Sequence, residues 1–530
     1  MNFPNSRKRQ IFSLPWVLLL IVLLIAIALR FAELDVSPGW YSDEGTMLEL
    51  ARHLSNGNVE YLGINRSFLL AGRMPLFIVL LAVAVKLWGV KMLTLRMLTA
   101  SLAVISTVLL YSLIWKQSKD TWWAFSVAFV YAVLPRIVFY QRLGFSYHLG
   151  GLLVLIGVNL LWLYWNDGKR KYALFATVVF GLATVSDLAL LVFFLPLMIV
   201  MLLRRWQDAF WGGVLFMAPL VLYAIGMYIG VGEAFWYDWQ FTWGRVAVSL
   251  PVQIATSVLN FTFLSLSDPW WELAWLGFLF IPDTRERGVH LLFWGLPWLG
   301  IARSVSIFDV GYYHQIPVFP LWAIGIGSLL RFGLPIAENR LRASMIALVT
   351  LIKSRRSTLD NFVTHLAVFV TALVIFALLL PLAIQPLAIF VGQQMARVID
   401  LPVNKVLVDV NDAQRTVTYI NQQVHPCDLV ITSPALAWAI ESRATGFQIS
   451  QAFLHNPTRH FPSDIPRERF AYNVDYHMAR YAIIDPVWRN WGMSIPSVEE
   501  MTQEIRSRWK LDRHIGSIVI YQNPTPPACP

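Results

Sequence analysis

Long apolar runs alternate with short basic loops over the first 384 residues. Residues 11–29 carry no charge and follow Arg7, Lys8 and Arg9. That run is too long for the apolar core of a signal peptide, and no polar segment precedes its Ala26-x-Ala28. It predicts a retained first span with the N-terminus inside. Further spans are predicted at 93–115, 121–140, 146–165, 171–187, 188–203, 211–231, 266–282, 288–303, 313–331 and 362–384. The run 74–90 is apolar but short, with Pro75 at its start and Lys86 inside, and fits a helix lying flat on the outer surface. From residue 385 the pattern changes. Strand-like KVLVDV (405–410) leads to Asn411 as a helix N-cap and a helix to about Val424. DLVITS (428–433), YAIID (481–485) and SIVIYQ (517–522) read as strands, with a helix near 497–508. The expected fold class is an α-helical multi-pass membrane domain (1–384) with a small C-terminal α/β domain (385–530).

Composition agrees: 57% of the 530 residues are hydrophobic and 14% charged, against about 25% charged in soluble chains. The net charge of +10 raises the question of nucleic-acid binding, but its distribution answers against it. Residues 385–530 hold 13 Lys+Arg and 13 Asp+Glu, so the excess lies in the apolar part. With 74–90 on the surface, the inner segments carry 18 Lys+Arg against 7 Asp+Glu. Positive charge then marks the cytoplasmic side. This arrangement has eleven spans, an inner N-terminus and an outer C-terminal domain in the cell membrane. Only two cysteines, Cys427 and Cys529, occur. They exclude a disulfide scaffold, and a bridge between them and two free thiols are equally compatible with the sequence.

The candidate chemistry begins in the first outer loop, about 32–92, with Trp40-Tyr41-Ser42-Asp43-Glu44-Gly45 ahead of a helix. Ser42 as N-cap with two acids in the first turn explains the pair as local helix chemistry. The other reading is a site, because paired carboxylates beside a membrane are costly unless hydrated, paired or used. Arg73 precedes the flat helix, Arg142 sits in the second outer loop, and Arg303 and His314 border the last outer loop. Snorkelling to headgroups competes with a substrate role for each. The aromatic loop 232–265 reads as an interfacial belt or as a platform for sugar rings or the polyprenyl chain.

The stretch WYSDEGTMLELARHLSNGN resembles the first-loop signature of the GT-C class of glycosyltransferases. The nearest branch holds the bacterial relatives of protein O-mannosyltransferases and aminoarabinose transferases. Gly89 with Arg96-Met-Leu-Thr-Ala100, Tyr140-Gln-Arg142-Leu143, and Tyr313-His314-Gln-Ile-Pro-Val-Phe-Pro320 are similar to further family stretches, in the same order. The resemblance implies an inverting membrane glycosyltransferase taking a sugar from a polyprenyl-phosphate carrier on the outer face. It implies Asp43 as general base, with Glu44 orienting it or helping to hold a metal or acceptor. Arg73, Arg142, Tyr147, His148, Arg303, Tyr313 and His314 are the candidates for donor phosphate or sugar. The partners expected are the polyprenyl-linked sugar, a lipid, glycan or protein acceptor and membrane lipids, and no nucleic acid.

Two departures bear on cofactors. Many relatives have an acidic residue where this chain has Tyr147, and some have a Glu where it reads Ala71-Gly72-Arg73. No metal site and no obligatory cofactor are therefore expected, with at most weak divalent-metal dependence. A lipid or polysaccharide transporter and a scaffold acting through residues 385–530 are the competing classes. If the chain is an enzyme, residues 1–384 are expected to keep donor binding.

Overall fold

The computed structural model describes residues 14–66, 75–246, 249–267, 269–302, 311–336, 343 and 405–526. Arg73, Arg303, the predicted span 362–384, nearly all of the basic inner stretch and Cys529 lie outside them. Four described helices are long and apolar enough to cross a membrane: α1 (Leu14–Phe31), and those at Met92–Ser118, Tyr147–Asp167 and Trp206–Val231. Between α1 and Met92 lie α2 (Ser42–Ser55), the antiparallel strands β1 (Glu60–Tyr61) and β2 (Ile64–Asn65), and α3 (Pro75–Trp88), and α4 is Met92–Ser118.

The predicted span 121–140 is two helices, α5 (Thr121–Val133) and α6 (Pro135–Gln141), bent by 59°. The cause is local. Leu134 precedes a proline, which disfavours helical backbone, and it sits at φ −60°, ψ 121°. The bend brings Gln141 and Arg142 under the first loop. After α7 (Tyr147–Asp167) come α8 (Arg170–Ser186), a 3-10 turn (Leu188–Phe193), α9 (Phe194–Arg204) and α10 (Trp206–Val231). The aromatic segment forms α11 (Ala234–Val246), and α12 (Leu250–Ser267) and α13 (Pro269–Phe278) follow. Helices α14 (Thr284–His290), α15 (Leu296–Ala302) and α16 (Pro320–Ser328) come next along the chain.

Helix α3 corresponds to the run read as a surface helix. Its 14 residues span ~21 Å, short of a hydrocarbon core about 30 Å thick. Phe77, Ile78 and Leu81 are buried, whereas Val83, Leu87 and Trp88 are exposed.

The C-terminal part is an α/β unit. Its sheet has the order β4-β3-β5-β7-β6, with β3 (Leu429–Thr432), β4 (Arg443–Gly446), β5 (Ala479–Ile484), β6 (Lys510–Ile515) and β7 (Ile518–Gln522). Strand β3 is parallel to β4 and β5, and β7 is antiparallel to β5 and β6. The strands foreseen at 428–433, 481–485 and 517–522 are present. Short β4 and the charged edge strand β6 have no apolar signature and escape a sequence reading.

Two expectations are corrected here. The helix α17 (Val410–Gln423) is capped by Asp409, whose carboxylate accepts from the amides of Asn411 and Asp412 at 2.9 and 3.1 Å. Asn411 lies inside the helix. KVLVDV is not a sheet strand: Val408 alone pairs, in an antiparallel bridge to Trp40. The chain turns into α2 directly after Tyr41, so that ladder has nowhere to continue.

Period-two alternation sorts the central strands between two cores. Leu429, Ile431, Ala482 and Ile484 join one cluster with Val498, Met501 and Ile505 of the helix at Pro496–Arg508. Val430, Ile483 and Ile520 face the other way, into a cluster shared with Trp40, Met47, Leu48, Phe77 and Leu95. The first loop and the C-terminal domain thus share one core. Trp40 and Trp438 meet with ring centroids 5.0 Å apart.

Candidate active site

The site is organised around the start of α2. Tyr41, not Ser42, is the N-cap residue, and Ser42 is the first helical position. The backbone amide of Tyr41 donates to Glu44 Oε2 at 3.2 Å, so the carboxylate at the third helical position closes the helix start by reaching back, as in a capping box.

Glu44 is wholly buried and has further partners. Arg96 donates to both its oxygens, Nε to Oε1 at 2.8 Å and Nη2 to Oε2 at 2.7 Å. The amide of Gly144, in the α6–α7 loop, donates to Oε1 at 2.8 Å. Arg96 is also wholly buried, and its remaining donors go to the carbonyls of Leu34, Pro38 and Gly39. One carboxylate and one guanidinium therefore tie together the end of α1, the start of α2, α4 and the α6–α7 loop. A charge pair so fully hydrogen-bonded is tolerable in the interior, where an unpaired charge is not.

Two glycines permit this convergence. A Cβ on Gly45 would stand 1.8 Å from the carbonyl oxygen of Pro434, so α2 meets the C-terminal domain through backbone contact. A Cβ on Gly144 would stand 2.3 Å from Leu95 Cγ. The small residue after the Asp-Glu pair thus has a packing explanation.

Asp43 is half-buried, one residue before Glu44 in the first turn of α2. The amide end of a helix favours negative charge there. Beside it lies an aromatic group. Tyr41 meets Phe145 edge-on at 5.6 Å, Phe145 stacks on Tyr313 at 4.5 Å, and Tyr147 contacts both Tyr313 and His314 at 5.7 and 5.0 Å. The fold therefore gathers the sequence candidates Tyr147, Tyr313 and His314 near the start of α2, from two separate segments.

Other candidates are placed differently. Arg142, expected to face a donor phosphate, is wholly buried. It donates to the carbonyls of Leu29 and Ser37 at 2.9 Å each and of Glu33 at 3.3 Å. It closes the C-terminal end of α1 and the loop after it. His148 is buried, and its Nε2 lies 3.0 Å from the Leu143 carbonyl. The positions of Arg73 and Arg303 fall outside the described residues.

The sequence reading missed three residues. Arg96 was noted only as part of a family stretch, and its partner stands 52 residues away. Arg30, wholly buried, donates to Gln141 Oε1 and to the carbonyls of Tyr131 and Ala132; it stands at the end of an apolar run, and no local pattern points to these partners. Asp187, after α8, accepts from Ser146 Oγ at 3.5 Å and so brings a carboxylate to the α6–α7 loop from another element.

A further joint holds the loops to the C-terminal domain. Arg469 donates to both oxygens of Asp238 in α11, at 3.2 and 3.1 Å, and to the carbonyls of Asn65 and Arg66. Burial raises the Asp238 carboxyl to about 6, and Arg469 opposes the shift. Among the described residues no group of three or more His, Cys, Asp or Glu side chains is placed to share a metal ion.

No protein-family model matches the chain, and no curated protein matches it in sequence. Solved structures do. ArnT from Cupriavidus metallidurans bound to undecaprenyl phosphate matches with a TM-score of 0.59 at 14% identity, over 96% of this chain and 97% of that one. The apo state of the same protein gives 0.60 at 13% identity, over 95% and 97%. Arabinosyltransferase EmbB from Mycobacterium smegmatis gives 0.40 at 13% identity, over 82% of this chain and 44% of that one, too distant to bear on the fold. With its paired first loop and C-terminal sheet, this chain has, over nearly its whole length, the fold of the ArnT structures.

Proposed function

We propose that the chain is an integral-membrane inverting glycosyltransferase that moves a sugar from a polyprenyl-phosphate carrier to an acceptor hydroxyl on the outer face. The observation that carries this reading is the placement of Asp43 in the first turn of α2, held from below by Glu44 and Arg96 and flanked by the Tyr41–Phe145–Tyr313 group. The shared fold supports it, because one matching ArnT structure is bound to undecaprenyl phosphate.

In this reading the acceptor oxygen attacks the anomeric carbon from the face opposite the phosphate. The new C–O bond forms as the bond to the phosphate oxygen breaks, and the polyprenyl phosphate leaves with the electron pair. Asp43 takes the acceptor's proton. Glu44 acts through position: its four hydrogen bonds fix the helix start and hence the Asp43 side chain. Tyr147, Tyr313 and His314 form an aromatic wall for a sugar ring. Arg73 and Arg303 supply charge for the departing phosphate, and Arg142 is a positioning residue. Eleven spans, an inner N-terminus, a membrane unit at 1–384 and an outer domain at 385–530 complete the arrangement. A nucleotide-sugar donor is confined to the cytoplasm, so an outward-facing base requires a lipid-borne sugar.

The test is transfer by purified protein in proteoliposomes from a polyprenyl-phosphate sugar. Asp43→Asn is expected to lower the rate about 10²–10⁴-fold with unchanged melting. Wild-type transfer by that variant would overturn the assignment.

A further inference from the structure

A cleft of about 390 Å³ separates the C-terminal half of α2 from the C-terminal domain. Its volume is that of a small-ligand site. One wall holds Glu49, His53, Asn58 and Glu60 of the first loop, and the other holds Ser442 and Tyr472 of the domain.

Glu49 is 2% exposed. Its Oε1 accepts from Arg52 Nη2 at 2.6 Å and lies 3.0 Å from His53 Nε2. Its Oε2 is buried with no donor among the described residues, and the buried hydroxyl oxygen of Ser442 likewise has no partner. Buried polar atoms are rarely left so, because each forfeits its hydrogen bonds to water. The two residues that bear them, Glu49 and Ser442, line one cleft.

The surrounding charge selects the ligand. Glu49, Glu60 and Glu441 face Arg52 and Arg443, with His53 between Glu49 and Glu60. This near balance disfavours a phosphate or a nucleic acid. Carboxylate acceptors, guanidinium and amide donors, a hydroxyl and the Tyr472 ring match the alternating donors, acceptors and apolar faces of a sugar. The ring is already fixed, since the Tyr472 hydroxyl donates to the Ala444 carbonyl at 2.7 Å.

We propose that this cleft is a binding subsite for a neutral saccharide, the part of the acceptor that does not react. The proposal rests on the glycosyltransferase reading and narrows its acceptor to a glycan or a glycan-bearing molecule. Glu49 and His53 follow Asp43 by six and ten residues on one continuous helix, ~9 and ~15 Å along its axis. The Gly45–Pro434 contact stands between them on the Glu49 face, so an acceptor held at Glu49 reaches the base by passing round α2.

The experiment is glycan-array binding by the full chain in lipid nanodiscs, using neutral hexose, pentose and N-acetylhexosamine oligosaccharides beside acidic ones, followed by titration of the best neutral binder. Wild type and Asp43→Asn are expected to bind it equally. Glu49→Gln and Asn58→Ala are each expected to weaken it about tenfold. Asn58 is exposed, so its variant should fold even if Glu49→Gln does not. Absence of a neutral binder, preference for acidic glycans, or wild-type binding by both cleft variants would overturn the proposal. Binding is read without turnover, so loss of binding in the cleft variants supports the cleft whatever Asp43→Asn does to transfer. Wild-type binding in them refutes it even where Asp43→Asn is inactive.

Discussion

Glu44 and Arg96 lie 52 residues apart in the chain and meet as a fully buried, two-armed ion pair. Removing one member leaves the other charge uncompensated in the interior, at a cost of about 3–5 kcal/mol. Glu44→Gln and Arg96→Met are therefore expected to lower the melting temperature strongly and to abolish transfer. The double variant Glu44→Met/Arg96→Met should recover part of the stability, because no lone charge remains. It should not recover transfer, because the helix start is no longer held. Melting curves and rates on the same preparations separate the two effects.

Gly45→Ala tests the join between α2 and the C-terminal domain. The added methyl would meet the Pro434 carbonyl oxygen at 1.8 Å, and neither backbone can yield cheaply. A loss of about 1–3 kcal/mol is expected, with a fall in transfer and faster proteolysis of the first loop. An unaffected variant would show that the two units do not press together at this point.

Ending the chain at residue 384 tests the shared core more severely. On the sequence, residues 1–384 are expected to keep donor binding. The structure adds a cost to that truncation, because Trp40, Met47 and Leu48 pack into one cluster with Val408, Val430 and Ile483. The shortened chain is expected to lose transfer and to be cleaved within the first loop in limited proteolysis, where the full chain is protected.

Chelation tests the cofactor reading. Tyr147 stands where many relatives carry an acid, and Ala71-Gly72-Arg73 lacks the other family carboxylate. Transfer in excess chelator is expected to stay near its untreated rate. Full loss, restored by Mn²⁺ or Mg²⁺, would point to a metal site, with Asp187 beside Ser146 as the first residue to mutate.

Asp485 gives a pH dependence with a definite sign. Burial raises its carboxyl from 3.8 to about 6, against hydrogen bonds from Ser433 and the backbone of Trp488. Between those values the folded protein binds more protons than the unfolded chain, so this group's contribution to stability falls as pH rises from 3.8 to about 6. Melting temperatures across that window should show a smaller decline in Asp485→Asn than in wild type. An identical profile would remove Asp485 as its source.

Much of this protein is legible in its sequence because the signals are local. Apolar run length gave the α1, α4, α7 and α10 helices, and the shortness of 74–90 matches 14-residue α3. Apolar strands at 429–432, 479–484 and 518–522 stand out because both faces of the central sheet are buried. Leu134-Pro135 carries the bend that divides the span at 121–140, a break the apolar pattern alone conceals. The Asp43-Glu44 pair is visible for the same local reason: two acids open a helix beside a membrane span.

What the sequence determined by itself is this succession of elements and the residue types at their ends, since backbone propensity and apolar periodicity act over a few residues. Only the tertiary structure decided what those residues do. It divided Asp43 from Glu44, leaving one half-buried at the helix start and enclosing the other against Arg96 and Gly144. It turned Arg142 toward the carbonyls of α1 rather than to solvent, and it set Gly45 against Pro434. The physical reason is common to all three: a buried charge or a backbone contact is settled by partners tens or hundreds of residues away, and no local pattern specifies them.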